Sequence, residues 1–163
     1  MRRAAWLLFL ICLSGLLRWN ASPSMPRGLY LLVPFPPLPG EMVMACPPPK
    51  MACLGVERHY TARGGPCACR SAVLLKYVVA APGDRITVGP TSVRINGVPL
   101  PGSAQRDRDS SGRPVAGVKA DFLLAPHHFW LAGLDARSWD SRYFGPVPKS
   151  AIRGVVRPLW VHR

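Results

Sequence analysis

The chain has 163 residues, room for one domain of ordinary size, and its 48% hydrophobic content is that of a packed core rather than a disordered chain. Nineteen prolines and 15 glycines break long helices, which excludes a helical bundle, a coiled coil or a repeat array. Twenty-one Lys and Arg against eight Asp and Glu give a net charge of +13. The arginines are scattered with no run longer than Arg2-Arg3, so no nucleic-acid partner is expected.

The first element is an uncharged stretch, Ala4 to Leu17, between Arg2-Arg3 and Arg18-Trp19-Asn20. A positive flank ahead of an apolar stretch keeps the N-terminus in the cytoplasm and sends the rest of the chain across the membrane. The 14 apolar residues fall short of the about 20 of a standard span and fit a cleavable signal peptide. Trp6 and Trp19 at the two interfaces would lengthen the span and favour an anchor. Residues 1–19 are read as an N-terminal membrane anchor, and 20–163 as a domain on the outer side of the membrane. Attraction to lipid headgroups or to acidic partners then accounts for the charge.

Short strands come next. Tyr30 to Val33 and Met42 to Ala45 are each ended by prolines, and residues 46–70 form an irregular insertion carrying Cys46, Cys53, Cys67 and Cys69. In an exported domain four cysteines imply two disulfides, with three pairings open. Their spacing does not suit zinc. Ser71 to Ala80 is the strongest strand, followed by Ile86 to Val88 and Ser92 to Ile95. Asn96-Gly97 marks a hairpin. Residues 101–119 are a polar loop. Phe122 to Ala125, His128 to Ala132 and Ala151 to Trp160 complete an all-β, barrel-like domain of short antiparallel strands. His127 and His128 are adjacent, so on a strand they face opposite ways, and no metal or other cofactor is expected.

Three segments bear candidate chemistry. In Asn20-Ala-Ser22-Pro-Ser24-Met-Pro26, the prolines hold an extended backbone that points both serines to one side. Lys76 shares a strand face with Leu74, Val78 and Ala80. An amine held on an apolar face loses hydration and its pKa falls, unless the strand is at an edge and Lys76 reaches water. The segment Gly133 to Pro146 crowds Asp, Ser and Arg into one loop, where Asp140 and Arg142 suit an ion pair.

Together these segments resemble bacterial signal peptidases. Ser22-Pro-Ser24-Met-Pro26 is similar to their nucleophile box and Lys76 to Asp84 (KYVVAAPGD) to their general-base box. Ser138 to Val147 (SWDSRYFGPV) resembles their last box. The fuller forms, Asn20-x-Ser-x-Ser-x-Pro-x-Gly28 and Asp140-Ser-Arg-Tyr-Phe-Gly-Pro146, are most similar to the conjugative-transfer branch, the TraF-type peptidases. The resemblance implies a serine endopeptidase with Ser24 as nucleophile and Lys76 as base. The Ser24 N–H and Ser22 hydroxyl would form the oxyanion hole. Ser141, with Ser138 the second choice, would orient the amine, while Asp140 and Arg142 brace the site. It further implies a bacterial inner-membrane protein with its catalytic domain in the periplasm, and a precursor substrate, in this branch a pilin-like one, cut at an Ala-x-Ala-type site at the outer membrane face. The product is linear if water resolves the acyl-enzyme and cyclic if the pilin's own amine does. Competing readings are a general signal peptidase and a non-catalytic, membrane-anchored assembly factor.

Overall fold

A computed structural model describes residues 15–162. The chain enters on β1 (Leu17–Asn20) and turns into β2 (Arg27–Val33). Next come β3 (Met42–Ala45) and helix α1 (Pro49–Glu57), then β4 (Leu74–Ala80). A compact run continues through β5 (Arg85–Val88), β6 (Val93–Ile95), β7 (Val98–Pro99) and β8 (Ala120–Leu123). The chain closes with β9 (His128–Ala132), the one-turn helix α2 (Ser141–Phe144), β10 (Val147–Pro148) and the long β11 (Ile152–His162).

All pairings are antiparallel. The expected barrel-like body takes the form of two sheets, ordered β1-β2-β11-β3-β4-β9-β10 and β7-β6-β5-β8. The hairpin at Asn96-Gly97 joins β6 to β7, and both residues have positive φ, as a tight two-residue turn requires. Trp130 and Ile86 anchor one core against the small sheet, and Val43, Val78, Phe129 and Trp139 another against the large one.

The predicted anchor over residues 1–19 lies mostly outside the described residues, but its last positions form β1, paired from Leu17↔Leu31 to Asn20↔Gly28. Among the described residues no helix is long and apolar enough to cross a membrane. The insertion over 46–70 is not wholly irregular, because it contains α1. The prolines read as a strand stop also suit a helix start, where Pro49 takes the first position and its missing N–H costs nothing. The disulfides pair Cys46 with Cys67 and Cys53 with Cys69, tying the end of β3 and helix α1 each to the 3₁₀ turn at Ala68–Arg70 and its flank.

Candidate active site

Ser24 sits in a turn with Pro23, and Ser22 at its entry, so the segment is not the continuous extended backbone the sequence suggested. The Asn20 side chain builds that turn. Its amide donates to the carbonyls of Ser22, Met25 and Pro26, and its carbonyl accepts from the Ser22 N–H. Tyr30 Oη donates to Pro26 O at 2.6 Å. Met25 is buried with Tyr30, Leu75 and Val156, which draws the turn down against β4 one residue from Lys76. At Gly28 a Cβ would lie 2.1 Å from the carbonyl oxygen of Trp160, so the close pass of β11 admits only glycine. The two hydroxyls end up 3.0 Å apart, and the Ser24 N–H donates to Ser22 Oγ at 3.3 Å.

Lys76 Nζ donates to Ser24 Oγ at 2.8 Å. β4 runs between β3 and β9, so Lys76 is on an interior strand and cannot reach water along an edge. It is 2% exposed. Burial lowers its pKa from 10.5 to about 8, with Arg142 acting in the same direction and the Asp140 and Asp135 carboxylates opposing. A neutral amine of that basicity can take a proton from a hydroxyl it touches.

Asp140 and Arg142 form a buried frame beside Lys76. The Asp140 carboxylate accepts from Arg142 Nε at 2.8 Å, Arg142 Nη2 at 2.9 Å and the backbone N–H of Gly133 and Arg142. Arg142 in turn donates to the carbonyls of Gly102, Ala104, Ala136, Asp135 and Ser138. One guanidinium thus gathers two stretches of loop, 102–104 and 135–138. The capped turn aims the two flanking serines differently. Ser141 Oγ accepts from the Leu131 N–H at 2.9 Å and is tied to β9. Ser138 Oγ lines the same cleft as Lys76 and Ser24, is buried, and has no hydrogen-bond partner among the described residues. The order of preference from sequence, Ser141 before Ser138, is therefore reversed by geometry: the uncommitted hydroxyl is that of Ser138. Gly133 seals this corner, since a Cβ there would meet Ser138 Oγ at 2.2 Å and Ser24 O at 3.1 Å.

A cleft of about 480 Å³ opens over the pair. Two of its walls were not legible as site residues: Tyr60, from the cysteine-bearing segment, and Asp109, from the 101–119 loop. Tyr60 Oη donates to Asp109 Oδ2 at 2.7 Å across the gap, and its ring lies 4.7 Å from that of Trp139. Burial resists ionisation of Asp109, but bonds from Tyr60, Arg113 and Ser111 outweigh it and hold the carboxyl well below the usual range. Gly55 lets α1 approach Trp139, where a Cβ would come within 3.3 Å of the indole nitrogen. The disulfides therefore set the position of a cleft wall.

Comparison with known proteins gives a concordant result. The family described as "Signal peptidase, peptidase S26" matches residues 4–161. The "Plasmid transfer protein TraF" of Escherichia coli is 38% identical over 147 residues, covering 86% of this chain and 80% of that protein. The "Conjugal transfer protein TraF" of Agrobacterium tumefaciens is 35% identical over 150 residues, covering 91% and 84%. A signal peptidase I structure from Enterococcus faecalis overlaps 77% of this chain and all of its own at 21% identity and a TM-score of 0.42. With a family match spanning nearly the whole chain and relatives covered over most of their length, this chain belongs to the signal peptidase family and is similar to its TraF members.

Proposed function

We propose that this chain is a membrane-anchored serine endopeptidase with a Ser24–Lys76 dyad that matures a pilin-like precursor at the outer face of the inner membrane. The observation that carries the reading is the 2.8 Å contact between Ser24 Oγ and a lysine buried on an interior strand. Neutral Lys76 takes the hydroxyl proton as Ser24 Oγ bonds to the scissile carbonyl carbon. The charge moving onto the carbonyl oxygen is met by the Ser24 N–H and the Ser22 hydroxyl, both freed from their mutual contact. Collapse breaks the C–N bond, and the Lys76 ammonium returns its proton to the leaving amine. Water, or an amine of the substrate itself, then resolves the acyl-enzyme. Asp140 and Arg142 hold the loop against the dyad, and Ser138 offers its oxygen to the ammonium.

The names of the relatives favour a conjugative pilin over general preprotein processing. Membrane proximity is supported by Trp19, on β1 directly after the apolar stretch, and Trp160 on β11, each 60% exposed and stacked at 6.2 Å beside exposed Leu159. Indole rings of this kind favour a lipid interface. The cleavage site expected is of the Ala-x-Ala type.

Co-expression of wild type, Ser24→Ala and Lys76→Arg with the pilin-like precursor, read by intact mass, tests the reading. Both variants should leave the precursor whole, because a guanidinium stays charged and cannot accept the proton. A wild-type product one water lighter than the linear peptide marks cyclisation. Processing that survives both variants refutes the dyad: either other residues do the chemistry or the chain is an assembly factor.

A further inference from the structure

The arginines, scattered in sequence, converge around the cleft. Arg58, Arg106, Arg108, Arg113 and Arg137 line it, against two carboxylates, Asp109 and Asp135. Both carboxylates are already committed. Asp109 pairs with Arg113 at 2.7 Å, and Asp135 with Arg137 at 3.1 Å. Arg58, Arg106 and Arg108 have no carboxylate partner among the described residues. Arg58 Nη1 donates to Pro114 O at 2.6 Å and its guanidinium also meets the Tyr60 hydroxyl, while Arg108 Nη1 donates to Gly112 O at 2.7 Å. Each guanidinium has five donors, so most of theirs remain for a ligand. The neighbouring acids Glu57 and Asp107 are exposed and outside the cleft lining.

These cations are mounted on braced backbone. Tyr143 Oη accepts from the Arg106 N–H at 3.1 Å, Val115 N–H bonds to Asp107 O, and Arg113 Nη2 donates to Arg58 O at 2.8 Å. The rim thus joins the cysteine-bearing segment to the 101–119 loop and needs little ordering before it binds. Positive groups focused in a cleft beside the dyad attract carboxylates more strongly than the same groups spread over a surface. Fork-shaped guanidinium donors also match a carboxylate geometrically. A lipid-binding role would not require these arginines to line the cleft that holds Ser24 and Lys76.

We propose that the Arg58–Arg106–Arg108 rim selects substrates carrying Asp or Glu side chains within a few residues of the scissile bond. This inference rests on the peptidase reading and adds the substrate class. The test uses the full chain in detergent and peptides with an Ala-x-Ala site, identical except for Glu or Gln at the flanking positions. One charge-assisted bond, made by Glu and lost by Gln, should favour the Glu peptide in kcat/KM by about ten-fold or more, mostly through KM. The preference should shrink with added salt. In the double variant Arg106→Gln/Arg108→Gln the ratio should collapse to within about two-fold, whereas Arg94→Gln, on β6 and outside the cleft, should retain it. A wild-type ratio near one, or a ratio that survives the double variant, overturns the inference. So does a double variant that loses only binding to phosphatidylglycerol vesicles, which would make the rim a lipid contact. If wild type cleaves neither peptide, the peptidase reading fails. Binding of both peptides to the Ser24→Ala variant then decides the rim separately, since equal affinities refute it.

Discussion

Lys76→Met should make the protein more stable and inactive at once, with a pH dependence that identifies the cause. Methionine fills a similar volume on the interior strand without a charge to desolvate. The native amine is displaced from 10.5 to about 8, chiefly by burial. At 1.36 kcal/mol per pH unit, holding it protonated in the fold costs about 3 kcal/mol. The folded pKa lies below the unfolded one, so between the two the unfolded chain binds more protons and stability rises with pH. The penalty is full below pH 8 and gone above 10.5. Urea unfolding of the full chain in detergent, with disulfides intact, should show the variant about 3 kcal/mol more stable at pH 6 to 7, with the gap closing from pH 8 upward. Wild-type kcat/KM should rise about ten-fold per pH unit toward pH 8 and then level, following the neutral amine. At pH 7 about one molecule in ten carries that form, against about one in 3,000 for an unperturbed lysine. A variant no more stable than wild type, or a gain that ignores pH, would refute the claim that burial tunes this lysine. A rate limb centred near the ordinary histidine value would refute its role as base.

The same geometry makes three further outcomes testable. Ser138→Ala removes a buried hydroxyl with no partner, so activity should fall while the unfolding midpoint rises; Ser141→Ala strips the acceptor from Leu131 N–H and should cost about 1–3 kcal/mol, with activity falling only as the folded fraction does. Asp140→Asn leaves the Arg142 guanidinium buried without its carboxylate and should cost about 3–5 kcal/mol, measured by thermal unfolding of the variant against wild type. Removing one bridge by Cys53→Ala/Cys69→Ala opens a 16-residue separation and should cost about 3 kcal/mol, raising KM through the Tyr60 wall. Active-site titration of Ser24 with a serine-reactive probe should remain near stoichiometric in the fraction that stays folded.

The Ser24–Lys76 contact was legible because each half is written locally. Asn20, Pro23, Pro26 and Gly28 frame the serines, and Lys76 interrupts an otherwise apolar strand face. The proportion of the fold carried by β4, β9 and the Asn96-Gly97 hairpin was legible for the same reason: alternation and turn chemistry act over a few residues. What decides Lys76, however, is strand order. Whether it snorkels or is trapped depends on β3 and β9 flanking β4, and those partners lie 30 or more residues away in sequence. Helix α1 was hidden by Pro47-Pro48-Pro49, which punctuates a strand end and a helix start alike.

The serines around Asp140 show the limit more sharply. Ser138 and Ser141 stand two before and one after the same aspartate, and residue type alone cannot rank them. The choice is made by the Asp140 side chain, which caps α2 through the Arg142 N–H and so turns the Ser141 hydroxyl toward Leu131 N–H. Ser138, on the outer side of that cap, is left beside the cleft with its oxygen uncommitted. A buried hydroxyl without a partner is a cost that a purely structural position would remove by substitution with alanine. Its place in the cleft that holds Lys76 fits the proposed mechanism, in which that lysine alternates between amine and ammonium and the hydroxyl has its partner for only part of the cycle. The ammonium needs an acceptor that the neutral amine does not, and Ser138 Oγ is the buried acceptor in the cleft left free to serve.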